Sequence, residues 1–254
     1  MADYIEGKRA VIEALRTRVP LTAVLLADNA QRDSLVNDIL RKAKQQNVAV
    51  KTLSRKRLDE LSVRGSHQGV MAQTKPFPYA SLEEVMVAAD AFAAAHEGSA
   101  LVVVLDHITD AGNLGAIARS AESAGACGIL IPNKRAASVT AATYKSSAGA
   151  VSHIPIAQVP NLPSALEKLK KESFWVAAAT EQARELIWDA NLKGRIALVM
   201  GNEGDGVSRL VLETCDFAVA LPQAGSIGSL NVAQAFTTCA YEWLRQNRDA
   251  VLTD

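Results

Sequence analysis

Short, almost wholly aliphatic segments alternate with amphipathic segments from Ser99 onward, and this pattern restricts the fold more than any other feature of the sequence. Strands without polar positions are buried on both faces, which is typical of a parallel sheet covered by helices. The sequence therefore predicts an α/β fold with a parallel sheet over residues 99–254. The aliphatic segments are ALVVVLD, CGILIP, IPIAQV, FWVAAAT, RIALVMG and FAVALP.

The first 75 residues predict a second, smaller α/β unit. Helices are predicted at GKRAVIEAL and SLVNDILRKAKQQN, and strands at LTAVLLA, NVAVKTLS and QGVMAQTK. The prolines of KPFPYA interrupt this unit, and Ser81 three residues before Glu84 predicts the capped start of another helix. We therefore divide the chain into a domain at 1–75, a linker at 76–98 and a domain at 99–254.

Charge is distributed unevenly along a chain that is neutral overall, with 27 Lys and Arg against 27 Asp and Glu. Residues 1–75 carry a surplus of six basic residues. A basic unit on a neutral protein indicates a polyanionic substrate held at one end, although a solvated basic face without a partner explains the surplus equally well.

The cysteines and the amino-terminal residues exclude several classes of protein. Cys127, Cys215 and Cys239 are odd in number and widely spaced, which predicts reduced thiols and neither a disulfide framework nor a zinc site. We expect no metal. The start lacks a basic segment followed by an apolar one, and no aliphatic run is long enough to span a bilayer, so we expect a cytoplasmic protein with no membrane association.

Three loops that follow predicted strands carry unusual residues, and ligands of parallel α/β sheets bind at such loops. The first, LDHITDAGNLGAIARSA, offers Asn113 as a helix cap, Gly115 for close approach and Arg119 further along the helix. On its own this segment also fits an ordinary capped helix with an exposed arginine.

The second and third loops are rich in glycine. In GNEGDG, after RIALVMG, the glycines predict a tight loop with positive φ angles that holds Glu203. Its spacing matches neither the dinucleotide fingerprint nor a P-loop, which argues against a nucleotide-cofactor oxidoreductase. The third loop, QAGSIGSLN, precedes a long helix that Ser229 and Asn231 open, and it can present backbone groups to a heterocycle.

Taken in order, the three loops resemble the signature motifs of the TrmH-type (SpoU) branch of the SPOUT superfamily of RNA ribose methyltransferases. The first motif corresponds to Asn113, Gly115 and Arg119. The second corresponds to the strand followed by GNEG, and the third corresponds to LPQAGSIGSLNVA. Gln223 and Ala233 depart from the family's usual Met and Ser. The amino-terminal residues resemble the family's L30e-like substrate domain.

This resemblance implies a deep trefoil knot in the C-terminal domain and S-adenosylmethionine as cofactor. The second and third loops of the family hold the cofactor mainly through backbone groups, which assigns Gly201, Leu221 and Leu230, with Thr180 beside the adenine. The resemblance also implies a homodimer with the site at the interface, and it leaves open whether Arg119 acts in its own subunit or across subunits.

The same resemblance assigns the catalytic residues. Arg119 either accepts the proton of the ribose 2′-hydroxyl or stabilises the developing alkoxide, and the sequence leaves both roles open. The residues that orient the ribose and its phosphate are Asn113, Glu203, Ser229 and Asn231.

The expected partner is structured RNA, and no DNA is expected. The layout is most similar to family members that modify a guanosine of large-subunit ribosomal RNA; a transfer RNA target and a noncatalytic RNA-binding module remain alternatives. The basic residues expected to contact phosphates are Lys8, Arg9, Lys42, Lys44, Arg55, Lys56 and Arg57.

Overall fold

The computed structural model describes residues 4–62, 65–202, 204–226 and 228–252. In chain order its elements are β1 (Tyr4–Glu6), α1 (Lys8–Arg16), β2 (Leu21–Ala27), α2 (Ser34–Gln45), β3 (Ala49–Leu53), α3 (Arg55–Leu61), β4 (Val70–Thr74), α4 (Leu82–Ala95), β5 (Ala100–Asp106), α5 (Ala111–Ser123), β6 (Gly128–Pro132), α6 (Ala141–Ser146), β7 (Ile156–Val159), α7 (Leu162–Lys171), β8 (Trp175–Ala179), β9 (Glu185–Leu186), β10 (Arg195–Gly201), α8 (Arg209–Thr214), β11 (Phe217–Ala220), α9 (Val232–Gln246) and α10 (Arg248–Val251).

The chain divides into two compact units. The first contains the residues up to Pro78 together with Thr140–Gly149, and the second contains Tyr79–Val139 and the residues from Ala150 onward. The predicted linker over 76–98 is not a separate segment in this division. The boundary between the units falls after Pro78, and α4 packs in the core of the second unit through Val85 and Ala89. Helix α6, predicted as part of the C-terminal domain, groups with the first unit.

The first unit is built on a mixed sheet with the order β1-β4-β2-β3. Strand β4 pairs antiparallel with β1 and β2, whereas β2 and β3 are parallel. The apolar face of α1 buries Val11 and Leu15, as its periodicity predicts. Strand β1 and helix α3 escaped sequence prediction, because three residues are too few to show a period and α3 has a single buried side chain, Leu58.

The second unit is built on a sheet with the order β7-β6-β5-β10-β8-β11-β9 in the described residues. All of its strand pairs are parallel, so the predicted α/β fold with a parallel sheet is confirmed. Every residue of the interior strand β5 is buried, which explains its continuous aliphatic sequence.

Helices cover both faces of this sheet. Helices α4 and α7 bury Val85, Ala89 and Leu166 on one face together with Val102 of β5. The other face is covered by α5 and α9, which are joined by a 2.7 Å hydrogen bond between the hydroxyls of Ser120 and Thr237. No helix in the described part of the chain is long and apolar enough to cross a membrane.

Candidate functional site

A cavity of about 210 Å³ opens at the carboxyl ends of β8, β10 and β11, which are adjacent in the sheet. The four residues predicted to bind the cofactor all line it. Thr180 follows β8, Gly201 ends β10, Leu221 follows β11, and Leu230 precedes α9. Ser229, predicted as a catalytic residue, lines the same cavity. The parallel sheet therefore gathers the second and third loops, although they are distant in sequence.

The glycine loop after β10 closes on itself. The amide of Asn202 donates to the carbonyl of Gly206 at 3.0 Å, and the amide of Gly206 donates back to the carbonyl of Asn202 at 2.9 Å. The side-chain oxygen of Asn202 also accepts from the amide of Gly204 at 2.7 Å. These three hydrogen bonds join the described residues of the loop to one another.

The glycines of this loop serve different purposes. Gly206 has a φ of 68°, as the sequence predicts for a tight turn, whereas Gly201 and Gly204 do not have positive φ angles. Gly201 is required instead because the returning backbone passes close to it. A Cβ at this position would overlap the backbone of Gly206 and Val207. Glu203, predicted as a catalytic residue, lies outside the described residues.

The segment between β11 and α9 supplies backbone groups to the cavity. Within the described part of the chain, the amide and carbonyl groups of Leu221 and Leu230 have no backbone hydrogen bond. Leu230 is also exposed, with 46% of its surface accessible, although it is a large aliphatic residue. The backbone groups of Leu221 and Leu230 can therefore form hydrogen bonds with a ligand, and the Leu230 side chain can contact an apolar ring of the same ligand.

Asn231 and Asn113 join the third loop to the first. The side-chain amide of Asn231 donates to the side-chain oxygen of Asn113 at 3.0 Å. Asn231 also caps α9, since its side-chain oxygen accepts from the amide of Ala233 at 3.0 Å. Two sequence assignments change here: α9 is capped by Asn231 and not by Ser229, and α5 is capped by Asp110, whose carboxylate accepts from the amide of Asn113 at 2.7 Å.

Arg119 is not brought to the cavity. It is exposed on α5 and forms no hydrogen bond or ion pair with another described residue. Ser120, its neighbour, faces α9. Successive helical residues point about 100° apart, so the Arg119 side chain is directed away from that contact. The structure therefore assembles Asn113, Ser229 and Asn231 near the cavity and leaves Arg119 on the surface.

Sequence reasoning missed Asp106, which ends β5. Its side chain is 1% exposed; one oxygen accepts from the amide of Ser208 at 2.7 Å, and the other lies 2.6 Å from Nδ1 of His107. It thereby fixes the start of α8 directly after the glycine loop. A single carboxylate at the end of an otherwise aliphatic strand was the signal in the sequence.

The thiols are unsuited to nucleophilic chemistry. Burial raises the pKa of Cys127 to about 11, and burial raises the pKa of Cys215 and of Cys239 to about 12. A thiol with such a pKa is protonated at neutral pH and is a poor nucleophile. In the part of the chain that the structure describes, no group of His, Cys, Asp and Glu side chains is arranged to hold a metal ion.

Comparison with known families gives two matches that together cover both units. A model of the SpoU rRNA Methylase family matches residues 100–241, and a model described as RNA 2′-O ribose methyltransferase substrate binding matches residues 4–80.

Relatives of similar length also match. A protein of Bacillus subtilis named as a TrmH family tRNA/rRNA methyltransferase, YacO, is 38% identical over 244 residues, which cover 96% of each chain. A TrmH family tRNA/rRNA methyltransferase of Staphylococcus aureus is 35% identical over 247 residues, again covering 96% of each chain. Among solved structures, the SpoU methyltransferase AviRb of Streptomyces viridochromogenes, in complex with AdoMet, aligns with a TM-score of 0.70 and 25% identity, over 98% of this chain and 91% of AviRb.

Proposed function

The chain belongs to the SpoU rRNA methylase family, and from that premise we propose that it transfers a methyl group from S-adenosylmethionine to a ribose 2′-hydroxyl of structured RNA. The observation that carries this proposal is the cavity at the ends of β8, β10 and β11. It gathers residues of the second and third motifs, and the hydrogen bond between Asn231 and Asn113 adds the first motif beside it.

The cavity fits S-adenosylmethionine in the chemistry of its lining. Thr180 and the unbonded backbone groups of Leu221 and Leu230 offer hydrogen bonds, while Met200 and Val232 offer apolar surface to a flat heterocycle. When bound, the cofactor supplies an electrophilic methyl group on a sulfonium. We assign its binding to Thr180, Gly201, Leu221 and Leu230, and AviRb, which binds AdoMet, supports the assignment.

The ribose would lie at the edge of the cavity near α9. Ser229 offers a hydroxyl, and the Asn113–Asn231 pair offers amide groups in a fixed orientation. Orienting the 2′-oxygen towards the methyl carbon supplies much of the rate of such a transfer. Glu203 keeps its assignment as a further orienting residue.

We propose that Arg119 acts in the site of the partner subunit of a homodimer. Arg119 is exposed and is not among the described residues that line the cavity of its own subunit, and both observations support this role. Arg119 would then either accept the proton of the 2′-hydroxyl or stabilise the negative charge that develops on the oxygen. Both roles predict that Arg119→Ala reduces turnover far more than cofactor affinity, and an equal loss of both would contradict them.

The proposal extends to the target RNA, the cellular location and the folds of the two units. We propose a cytoplasmic, RlmB-like enzyme that modifies a guanosine of large-subunit (23S) ribosomal RNA, with a transfer RNA target as the alternative. We also propose an L30e-like fold for the first unit and a deep trefoil knot in the second. The insertion of β10 between β5 and β8, out of chain order, supports the knotted path.

The test of the proposed function is a transfer assay with the full chain. The protein is incubated with tritiated S-adenosylmethionine and, separately, with unmodified ribosomal RNA and transfer RNA, and the label is mapped in alkali-resistant dinucleotides. Label in such a dinucleotide of ribosomal RNA supports the proposal, and label in transfer RNA supports the alternative target. Cofactor binding without label in either RNA would favour a noncatalytic RNA-binding module.

A further inference from the structure

A second cavity, of about 720 Å³, lies at the carboxyl ends of the neighbouring strands β5, β6 and β7. Its walls are the segments that follow these strands and the first turn of α8. Among the described residues, none of those assigned above to the cofactor or the ribose lines it. It is therefore a separate feature of the same sheet edge.

The two cavities share a wall. Asn202, Asp205 and Gly206 of the glycine loop line both of them. This loop is held by its internal hydrogen bonds, and Asp106 fixes its far side through Ser208. A polymer that leaves the cofactor cavity across this wall enters the second cavity directly.

The second cavity is lined by cations. Lys134 and Arg135 follow β6, are exposed, and form no hydrogen bond or ion pair with another described residue. Arg209, the first residue of α8, also lines the cavity, and its only described ion pair is a long one, 3.3 Å to Glu213. Against these charges stand Asp205, on the shared wall, and Asp106, whose carboxylate oxygens are both engaged. Lys134 and Arg135 thus present positive charge to the cavity that no described residue pairs, and Arg209 adds a third, weakly paired cation.

The backbone of this cavity is unusual for its residues. His107 and Arg135 have φ angles of 59° and 54°, a region that side chains other than glycine enter at a cost. Five of the other non-glycine residues with positive φ directly follow the ends of helices, where this conformation is common. His107 and Arg135 instead follow strands β5 and β6, and both line this cavity. Strain of this kind is concentrated at functional sites.

We propose that this cavity binds the phosphate backbone of the RNA next to the methylated nucleotide, with Lys134, Arg135 and Arg209 as the phosphate ligands. The proposal rests on the proposed function, since it places the RNA strand relative to the cofactor cavity. A ribose held beside α9 carries a phosphate on each side, and the strand that crosses the glycine loop meets these cations. Lysine and arginine side chains recognise phosphates without reading sequence.

The test is the double substitution Lys134→Gln and Arg135→Asn, in which Asn is chosen because it tolerates positive φ. Binding of ribosomal RNA fragments is measured from low to high salt, together with the affinity for S-adenosylmethionine and the melting temperature. Loss of two phosphate contacts lowers the slope of log K against log salt by about 1.4 for single-stranded RNA and about 1.8 for a duplex. If the variant and the wild type bind RNA equally at 1 M salt, the variant should therefore bind about 25- to 60-fold more weakly than the wild type at 0.1 M salt.

A matched control removes two cations from the opposite edge of the sheet. Lys171 ends α7 and Lys193 precedes β10, and both are exposed at the side where strands begin. Lys171→Gln with Lys193→Gln should leave the salt slope unchanged. A cavity variant that keeps the wild-type slope, or a control that lowers the slope as much, would overturn the proposal.

The salt slope is independent of methyl transfer, so the two proposals fail separately. A wild-type protein that labels no RNA contradicts the proposed function, and the cavity is still tested by binding. A wild-type protein that labels RNA, combined with a cavity variant whose KM for RNA is unchanged, contradicts only the cavity. Support consists of a reduced slope and a raised KM for RNA at unchanged affinity for S-adenosylmethionine.

Discussion

Gly201→Ala should weaken cofactor binding by opening the glycine loop. The added Cβ would overlap the backbone of Gly206 and Val207, which no side-chain rotation can relieve, so the strand end or the loop must move. Such overpacking costs about 1–3 kcal/mol. Separating the two segments also breaks the reciprocal hydrogen bonds between Asn202 and Gly206, each worth about 0.5–1.5 kcal/mol. If binding requires the closed loop, a cost of about 3 kcal/mol raises the Kd for S-adenosylmethionine by about 100-fold.

The neighbouring Gly204→Ala is the matched control. Its Cβ would lie 3.6 Å from the side-chain oxygen of Asn202, an ordinary contact, and its φ is not positive. Isothermal titration of both variants with S-adenosylmethionine, together with urea unfolding, separates loss of binding from loss of folding. The reasoning is refuted if Gly201→Ala binds as the wild type does, or if Gly204→Ala loses as much affinity.

Three further predictions concern stability. Asn231→Ala removes the cap of α9 and should lower the free energy of unfolding by about 1 kcal/mol, whereas Asn231→Asp keeps a capping oxygen and should cost less; urea unfolding that ranks the two the other way would contradict the cap. Trp243→Ala should cost about 3–5 kcal/mol by the same measurement, since its side chain is fully buried; a loss below 1 kcal/mol would show that the site is not packed. The buried thiols of Cys127 and Cys239 keep their protons in the folded protein at a pH where the unfolded chain loses them, because their folded pKa values, about 11 and about 12, exceed the ordinary 9.0. Stability should therefore be independent of these groups below about pH 9 and fall above it, by up to about 1.4 kcal/mol per pH unit for each thiol, and Cys127→Ser with Cys239→Ala should flatten the urea-measured profile.

The sequence by itself determined the long strands of the second unit and the loops that line its cavity. Continuous aliphatic strands such as β5 can be buried only between layers of helices, so the parallel sheet followed from composition and period. Parallel strands place their carboxyl ends at one edge, and the residues predicted after β8, β10 and β11 meet there. Gly201, Leu221 and Leu230 were identifiable because the motifs that contain them are local in sequence, and Thr180 because it ends a predicted strand.

Tertiary structure alone decided the features that depend on contacts between distant segments. Strand β10 lies between β5 and β8 in the sheet, and the sequence does not predict this position because the buried strands have similar aliphatic sequences. The need for Gly201 comes from the returning backbone at Gly206, and no φ preference signals it. Lys134 and Arg209 are separated by many residues and share a cavity only because their strands end at the same edge. Local patterns encode what one segment buries, whereas the partners of each segment are set by the packing of the whole chain.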